Sequence, residues 1–194
     1  MSQREQQPKK KRSILQTIGA LLLVALIAIF APEWLVDDEE RSGDSNATFV
    51  RVVDGDTIRV MYEGKEEPVR YLLIDTPESV KPNEPEQCYG KEASDVNEQL
   101  LKNGELELVF DEVGGKRDQY DRLLAHIYVD GKNVQEELLR RGLARVAFVY
   151  NKEDPHLDRY NAAQDEAKRN KVGIWSEDER FVTRRGFDDA FCTP

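Results

Sequence analysis

Hydrophobic positions along this chain change their spacing several times, and each change predicts a different element. Ile14 to Ala31 is a run of eighteen residues broken only by the polarity of Gln16 and Thr17, near the lower limit for a helix that spans a bilayer. Every face of such a helix is apolar, which disfavours a core helix with a solvated stripe. Residues 37–48, DDEERSGDSNAT, are acidic and small, lack periodicity, and read as a flexible spacer. From Phe49 the runs become short and β-rich. Residues 49–53 and 57–62 flank the turn signal Asp54-Gly55-Asp56, and a third run, 69–74, comes after Glu63-Gly64-Lys65.

Between Gly90 and Lys102 the period becomes helical, with Ala93, Val96, Leu100 and Leu101 on one stripe and Asn103-Gly104 as the stop. Two more strands are predicted at 106–110 and 123–129, then a helix from Val134 to Arg141 ending at Gly142. Residues 144–150 read as a short strand or an extended link. A last helix is predicted from Leu157 to Asn170, with Asp154-Pro155 leading in and Gly173 beyond its end. Five short strands with three helices predict an α+β domain over 49–177, its sheet able to close as a five-stranded OB-type β-barrel, with a tail at 178–194.

Charge divides the chain at the same place as hydropathy. Formal charge is −10, yet residues 1–36 carry five bases and two acids, so that segment is +3 and the remainder −13. Lys9-Lys10-Lys11-Arg12 ahead of the apolar run places residues 1–13 in the cytoplasm, makes 14–36 the crossing segment and puts the domain outside, with Trp34 at an interfacial position. Alanines 20, 25, 28 and 31 form no A-x-A site, which favours an uncleaved anchor over a cleaved signal peptide. An acidic domain cannot bind nucleic acid through bulk positive charge, so any polyanion must be met by a local patch or a metal. Two cysteines, Cys88 and Cys192, exclude a zinc ribbon or a disulfide-dense fold; they could form one bridge from the tail to the loop after Glu78, or remain unpaired.

Candidate chemistry concentrates in three places. Asp54-Gly55-Asp56-Thr57 sets two carboxylates around a glycine at a strand junction, which can offer hard oxygen ligands to Ca²⁺ or be a plain polar turn. An EF-hand is excluded, because the fifth and twelfth positions from Asp54 are Ile58 and Lys65. Arg70 lies inside an apolar strand and needs an anion, while Asp75 and Glu78 straddle the backbone-fixing Pro77; this is a site or an internal ion pair. A regular strand would send Arg70 and Asp75 to opposite faces, so their convergence requires a bulge or a departure from strand before Asp75. Lys116 to Arg122 is a cationic loop with Tyr120, suited to phosphate and base contacts or simply solvated.

In one order and with compatible spacing, VDGDT, RYLLIDTPE, YGKEAS, DQYDRLLAHIY, GLARVAFVY and GIWSE resemble the staphylococcal-nuclease (thermonuclease) family from about Val53 to Glu177. The resemblance implies an OB-type barrel with three helices and a Ca²⁺-dependent endonuclease that leaves 3′-phosphates on DNA and RNA. It puts metal ligands at Asp56, Asp75 and a main-chain oxygen of Thr76, and catalytic roles on Arg70, Glu78 and Arg122. Tyr120 and Phe148 fall at its substrate-binding positions. Where the family commonly has Lys, Gly and Tyr, this chain has Gln119, Asp121 and Phe148, and an acid beside Arg122 is expected to weaken ligand binding. His126 reads as a structural residue, since no other His or Cys lies at ligand spacing. The rival to an extracytoplasmic nuclease acting as a monomer is a barrel that binds nucleic acid or protein without cleaving it.

Overall fold

A computed structural model describes residues 43–44, 46–79, 86–111 and 113–192. The expectations for 1–13, 14–36 and most of 37–48 fall outside these residues. Among the described residues no helix is long and apolar enough to cross a membrane.

Three strands, β1 (Ala47–Asp54), β2 (Thr57–Tyr62) and β3 (Lys65–Tyr71), form the antiparallel meander that the alternating pattern predicts. Ile58, Val60 and Tyr62 alternate inward on β2, as period-two geometry requires. A two-residue strand, β4 (Ile74–Asp75), comes after a break in β3, and helix α1 (Gly90–Leu101) is next. Ala93, Asn97 and Leu101 are buried on it, four apart on one face. Strands β5 (Leu106–Phe110) and β6 (Leu123–Val129) have the bounds read from the sequence. A short β7 (Lys132–Asn133) leads into α2 (Val134–Arg140), where the Asn133 side chain caps the helix by accepting from the Glu136 amide at 2.7 Å. The 144–150 stretch contains β8 (Arg145–Val146), paired with β4, and α3 spans Leu157–Asn170.

The principal sheet runs β1-β2-β3-β6-β5, with β3 and β6 parallel and every other neighbour antiparallel. It curls until its two ends meet: Asp44 exchanges backbone hydrogen bonds of 2.8 and 3.1 Å with Leu108 of β5, and its carboxylate accepts from the Tyr62 hydroxyl at 2.8 Å. The fold therefore reaches back ahead of Phe49, into the stretch expected as spacer. Six of the seven β6 residues are buried, because the barrel interior covers one face of this strand and helices the other.

The 178–194 segment also departs from a simple tail. Strands β9 (Val182–Thr183) and β10 (Gly186–Phe187) form a small hairpin, a 3₁₀ turn spans Asp189–Phe191, and Cys192 is disulfide-bonded to Cys88. Phe181 at its root is fully buried, between Tyr89 and Phe187.

Candidate active site

The turn between β1 and β2 is held by its own side chains. Asp54 accepts from the Asp56 amide at 3.0 Å, an Asx turn, while Asn97 of α1 donates to the Asp54 carbonyl and accepts from Tyr71 at 2.7 Å. Gly55 is needed there because a Cβ would stand 2.8 Å from the Cβ atoms of both Thr76 and Ala93. The turn thereby presses against the β4 segment. Thr76 donates to Asp56 Oδ2 through its amide at 2.9 Å and its hydroxyl at 3.1 Å.

Arg70 and Asp75 converge because the chain, just past the end of β3, turns at Leu73, whose φ of 62° is left-handed. That turn is the departure from strand that the spacing requires. Arg70 reaches Asp56 Oδ1 at 2.7 Å and Asp75 Oδ1 at 3.6 Å, and the Asp75 Oδ2 is held by Arg145 of β8 at 2.8 Å. Asp54, Asp56, Thr57, Arg70, Asp75, Thr76, Glu78 and Arg122 line one small cleft of about 90 Å³. Every metal-binding and catalytic residue expected from the sequence is among them.

Electrostatics identify this cleft as a place for added positive charge. Burial, then repulsion from Asp56, pushes the Asp54 carboxyl up to about 7, and the same two causes raise Asp75. Four carboxylates face two guanidiniums, and carboxylate oxygens are the donor set that a hard divalent cation takes. A divalent ion would offset the carboxylate charge that the two guanidiniums leave unbalanced.

Arg122 is aimed from outside the cleft. Asp118 accepts from its Nε and its Nη2, each at 2.7 Å, and from its backbone amide at 3.0 Å. Burial opposes ionisation of Asp118, but these hydrogen bonds win and hold its pKa below the usual value. The exposed Asp121 carboxylate lies 3.5 Å from Arg117. Asp121 also occupies a left-handed φ of 62°, a conformation that accounts physically for glycine at such a position. The rings of Tyr120 and Phe148 are exposed at the rim, 5.5 Å from the Arg122 guanidinium and 5.6 Å from that of Arg70 respectively. Neither lines the cleft itself.

Sequence reading missed Arg145 and the full involvement of Asp54. An arginine inside the apolar stretch Leu143 to Val149 carries the same signal as Arg70 and could have been found by it.

A second cluster sits between β6 and α3. His126 and His156 stack with centroids 3.7 Å apart, and Asp154 accepts from both rings, at 3.1 and 3.0 Å. Their ligand atoms lie within 4.8 Å of one another, close enough for a metal. Each ring already has two partners, however: His126 Nδ1 meets the Tyr160 hydroxyl at 2.9 Å and His156 Nε2 meets that of Tyr128 at 3.0 Å. With both imidazoles neutral, Asp154 takes two N–H bonds and each tyrosine supplies the other proton, so the network is complete in protein groups alone. Burial lowers the His126 pKa. Burial works against Asp154, yet the hydrogen bonds from both histidines draw its pKa well below the ordinary range. His126 is thus tied into a buried hydrogen-bonded knot, and the expectation that no other His stands at ligand spacing is corrected by His156, thirty residues on, which carries no local signal of the pairing.

Comparison with known proteins agrees with this geometry. The family model described as "Staphylococcal nuclease homologue" matches residues 68–177. "Endonuclease YncB" of Bacillus subtilis (strain 168) is 52% identical over 143 residues, 74% of this chain and 67% of that protein. "SPbeta prophage-derived endonuclease YokF" of the same organism is also 52% identical over 143 residues, but only 48% of its length is matched, so this chain spans about half of it. "Thermonuclease" of Staphylococcus hyicus is 37% identical over 167 residues, 82% of this chain and 97% of that protein. With the cleft, the curled sheet and these matches taken together, the chain belongs to the staphylococcal nuclease homologue family.

Proposed function

We propose that this chain, a nuclease and hydrolase of that family, cleaves phosphodiester bonds of DNA and RNA endonucleolytically, with Ca²⁺ bound at Asp56, Asp75 and a main-chain oxygen of Thr76. The reading extends to 3′-phosphate products, a monomer, and action outside the cytoplasm. Residues 14–36 then attach the chain to the cell membrane, or direct its secretion if they are cleaved. The observation that carries it is the convergence of Asp56, Asp75, Glu78, Arg70 and Arg122 on one cleft.

Bound Ca²⁺ would supply positive charge to the phosphate oxygens and polarise a water beside them. The chain's own residues do the rest. Arg70 and Arg122 offer planar, two-donor contacts to the remaining phosphate oxygens, where charge grows in the transition state. Asp118 fixes the direction of Arg122, and Arg145 fixes Asp75. Arg70, now 2.7 Å from Asp56, would be available to substrate phosphate if that carboxylate held the ion instead. Glu78 accepts a proton from the attacking water. Tyr120 and Phe148, exposed above the two arginines, offer stacking faces to bases or sugars.

Incubation of the chain with plasmid DNA and with RNA, in Ca²⁺ or in chelator, tests the activity; cleavage that disappears in chelator and leaves ends open to a 3′-phosphatase is expected. Nucleic-acid binding without cleavage in Ca²⁺ would move the assignment to a non-cleaving module. Recovery of an intact N-terminus in the membrane fraction is the expected result for the anchor, whereas a soluble form beginning after residue 28 identifies a cleaved signal.

A further inference from the structure

Glu78 is carried on irregular chain directly after Pro77, which has no backbone donor. A catalytic carboxylate on such a loop is held only as well as its tertiary contacts hold it. Gln87 clamps the Glu78 backbone from both sides: its side-chain oxygen accepts from the Glu78 amide at 2.8 Å and its amide donates to the Glu78 carbonyl at 2.9 Å. Gln87 Nε2 in turn donates to the Phe187 carbonyl on the C-terminal hairpin at 3.5 Å. The next residue, Cys88, is bonded to Cys192 with Cα atoms 6.4 Å apart, and its amide donates to Asp189 at 3.1 Å. From the same hairpin the Phe187 ring lies 5.7 Å from the guanidinium of Arg145, the residue that grips Asp75.

We propose that this disulfide-tied hairpin is a brace for the active site, in which Gln87 and Phe187 are positioning residues that set Glu78 and the Asp75–Arg145 pair. Two separate contacts run from one short hairpin to Gln87 and Arg145, the residues that hold the Glu78 backbone and the Asp75 carboxylate, and the bridge keeps that hairpin in register over a sequence separation of 104. Bridge integrity therefore sets turnover as well as stability. Reduction by a dithiol, which transfers two electrons and two protons to the Cys88–Cys192 sulfurs and closes to its own disulfide, releases the hairpin and slows the enzyme. Reoxidation restores it.

The inference rests on the reading that Glu78 acts in hydrolysis, and the test separates the two. In the full chain, Gln87→Ala and the pair Cys88→Ser with Cys192→Ser are compared with wild type by kcat and KM on DNA in Ca²⁺, and by hydrogen exchange at the Glu78 amide, at a temperature where circular dichroism shows all of them folded. A misplacement of about 1 Å can cost about 10² in rate, so a fall in kcat of about 10- to 100-fold with KM within about threefold is expected. The Glu78 amide should exchange at least about tenfold faster. Combining the two changes should cost less than the product of the separate costs, because the contact between Gln87 and the hairpin is common to both. A kcat within about threefold of wild type in either folded variant, or costs that multiply, overturns the brace. Glu78→Gln cleaving at wild-type rate instead overturns the role of Glu78, while the exchange rate still reports whether the brace holds the loop.

Discussion

Replacing Asp154 by Asn removes one charge and leaves nearly the same shape, at a carboxylate that ties α3 to β6. Asp154 accepts from His126 Nε2 at 3.1 Å, from His156 Nδ1 at 3.0 Å and from the His156 amide at 2.8 Å. The new amide nitrogen can only donate, so one ring must face it donor to donor or change tautomer and reverse its hydrogen bond with the tyrosine hydroxyl. Hydrogen bonds to a charged group contribute about 1.5–3 kcal/mol each, and two imidazole bonds are affected, so a loss of up to about 3–6 kcal/mol is expected at about pH 7.5. That is a large share of the roughly 5–15 kcal/mol typical of a domain. The pH dependence gives a second check. His126 has a lowered pKa in the folded state, so its contribution is complete above its unfolded value of 6.5 and is lost as pH falls from there towards the folded value. Asp154 raises the His126 pKa, so without the carboxylate the folded value drops further and the total loss on acidification grows. Urea unfolding of wild type and Asp154→Asn from about pH 7.5 into the acid range measures this. A variant within about 1 kcal/mol of wild type at about pH 7.5, with a parallel pH profile, would refute the reasoning.

Four further outcomes are expected. Arg122→Lys and Glu78→Gln should each stay folded and lose about 10²–10³ in kcat, since ammonium cannot reproduce the planar two-donor contact and an amide cannot take the proton; wild-type rates in both would sink the catalytic assignment. Asp121→Gly should raise stability by about 1 kcal/mol by relieving a left-handed residue, read as a higher unfolding midpoint with cleavage intact. Gly90→Ala should impair turnover, because its Cβ would stand 2.8 Å from the Glu78 carbonyl carbon; unchanged kcat would show that the loop yields freely. On this acidic chain, binding should depend weakly on salt, with a slope of magnitude about 2 for contacts from Arg70 and Arg122; a steep slope in a titration would reveal a basic face.

Regular elements were legible where one pattern decided them. The bounds of β5, β6 and α3 come from unbroken β-rich or helical spacing between clear stops. The third strand was read through Ile74 because Leu72 and Leu73 continue its apolar character, whereas the backbone turns at Leu73 into a conformation that side-chain hydropathy does not encode. That same turn brings Arg70 to Asp75. Asn97 shows the complementary failure, a polar residue at the centre of a buried helix face, satisfied by Asp54 and Tyr71 from distant strands. The C-terminal hairpin looked like a tail because its order comes from Phe181, Phe187 and the Cys88 bridge, none of which is a local signal.

Because β3 and β6 run parallel, no tight turn can join them, and α1 and β5 must intervene before Leu123 can register against Val69. A growing chain that has passed Glu78 already holds the acidic half of the cleft, but Arg122 and Arg145 arrive only from later segments. Pairings between distant segments form slowly, because the entropy of closing the loop is lost before any contact compensates it. Hydrolytic competence thus belongs to the finished topology, and during refolding it should return with the β3–β6 ladder and lag behind hydrogen-exchange protection of the β1–β2 hairpin.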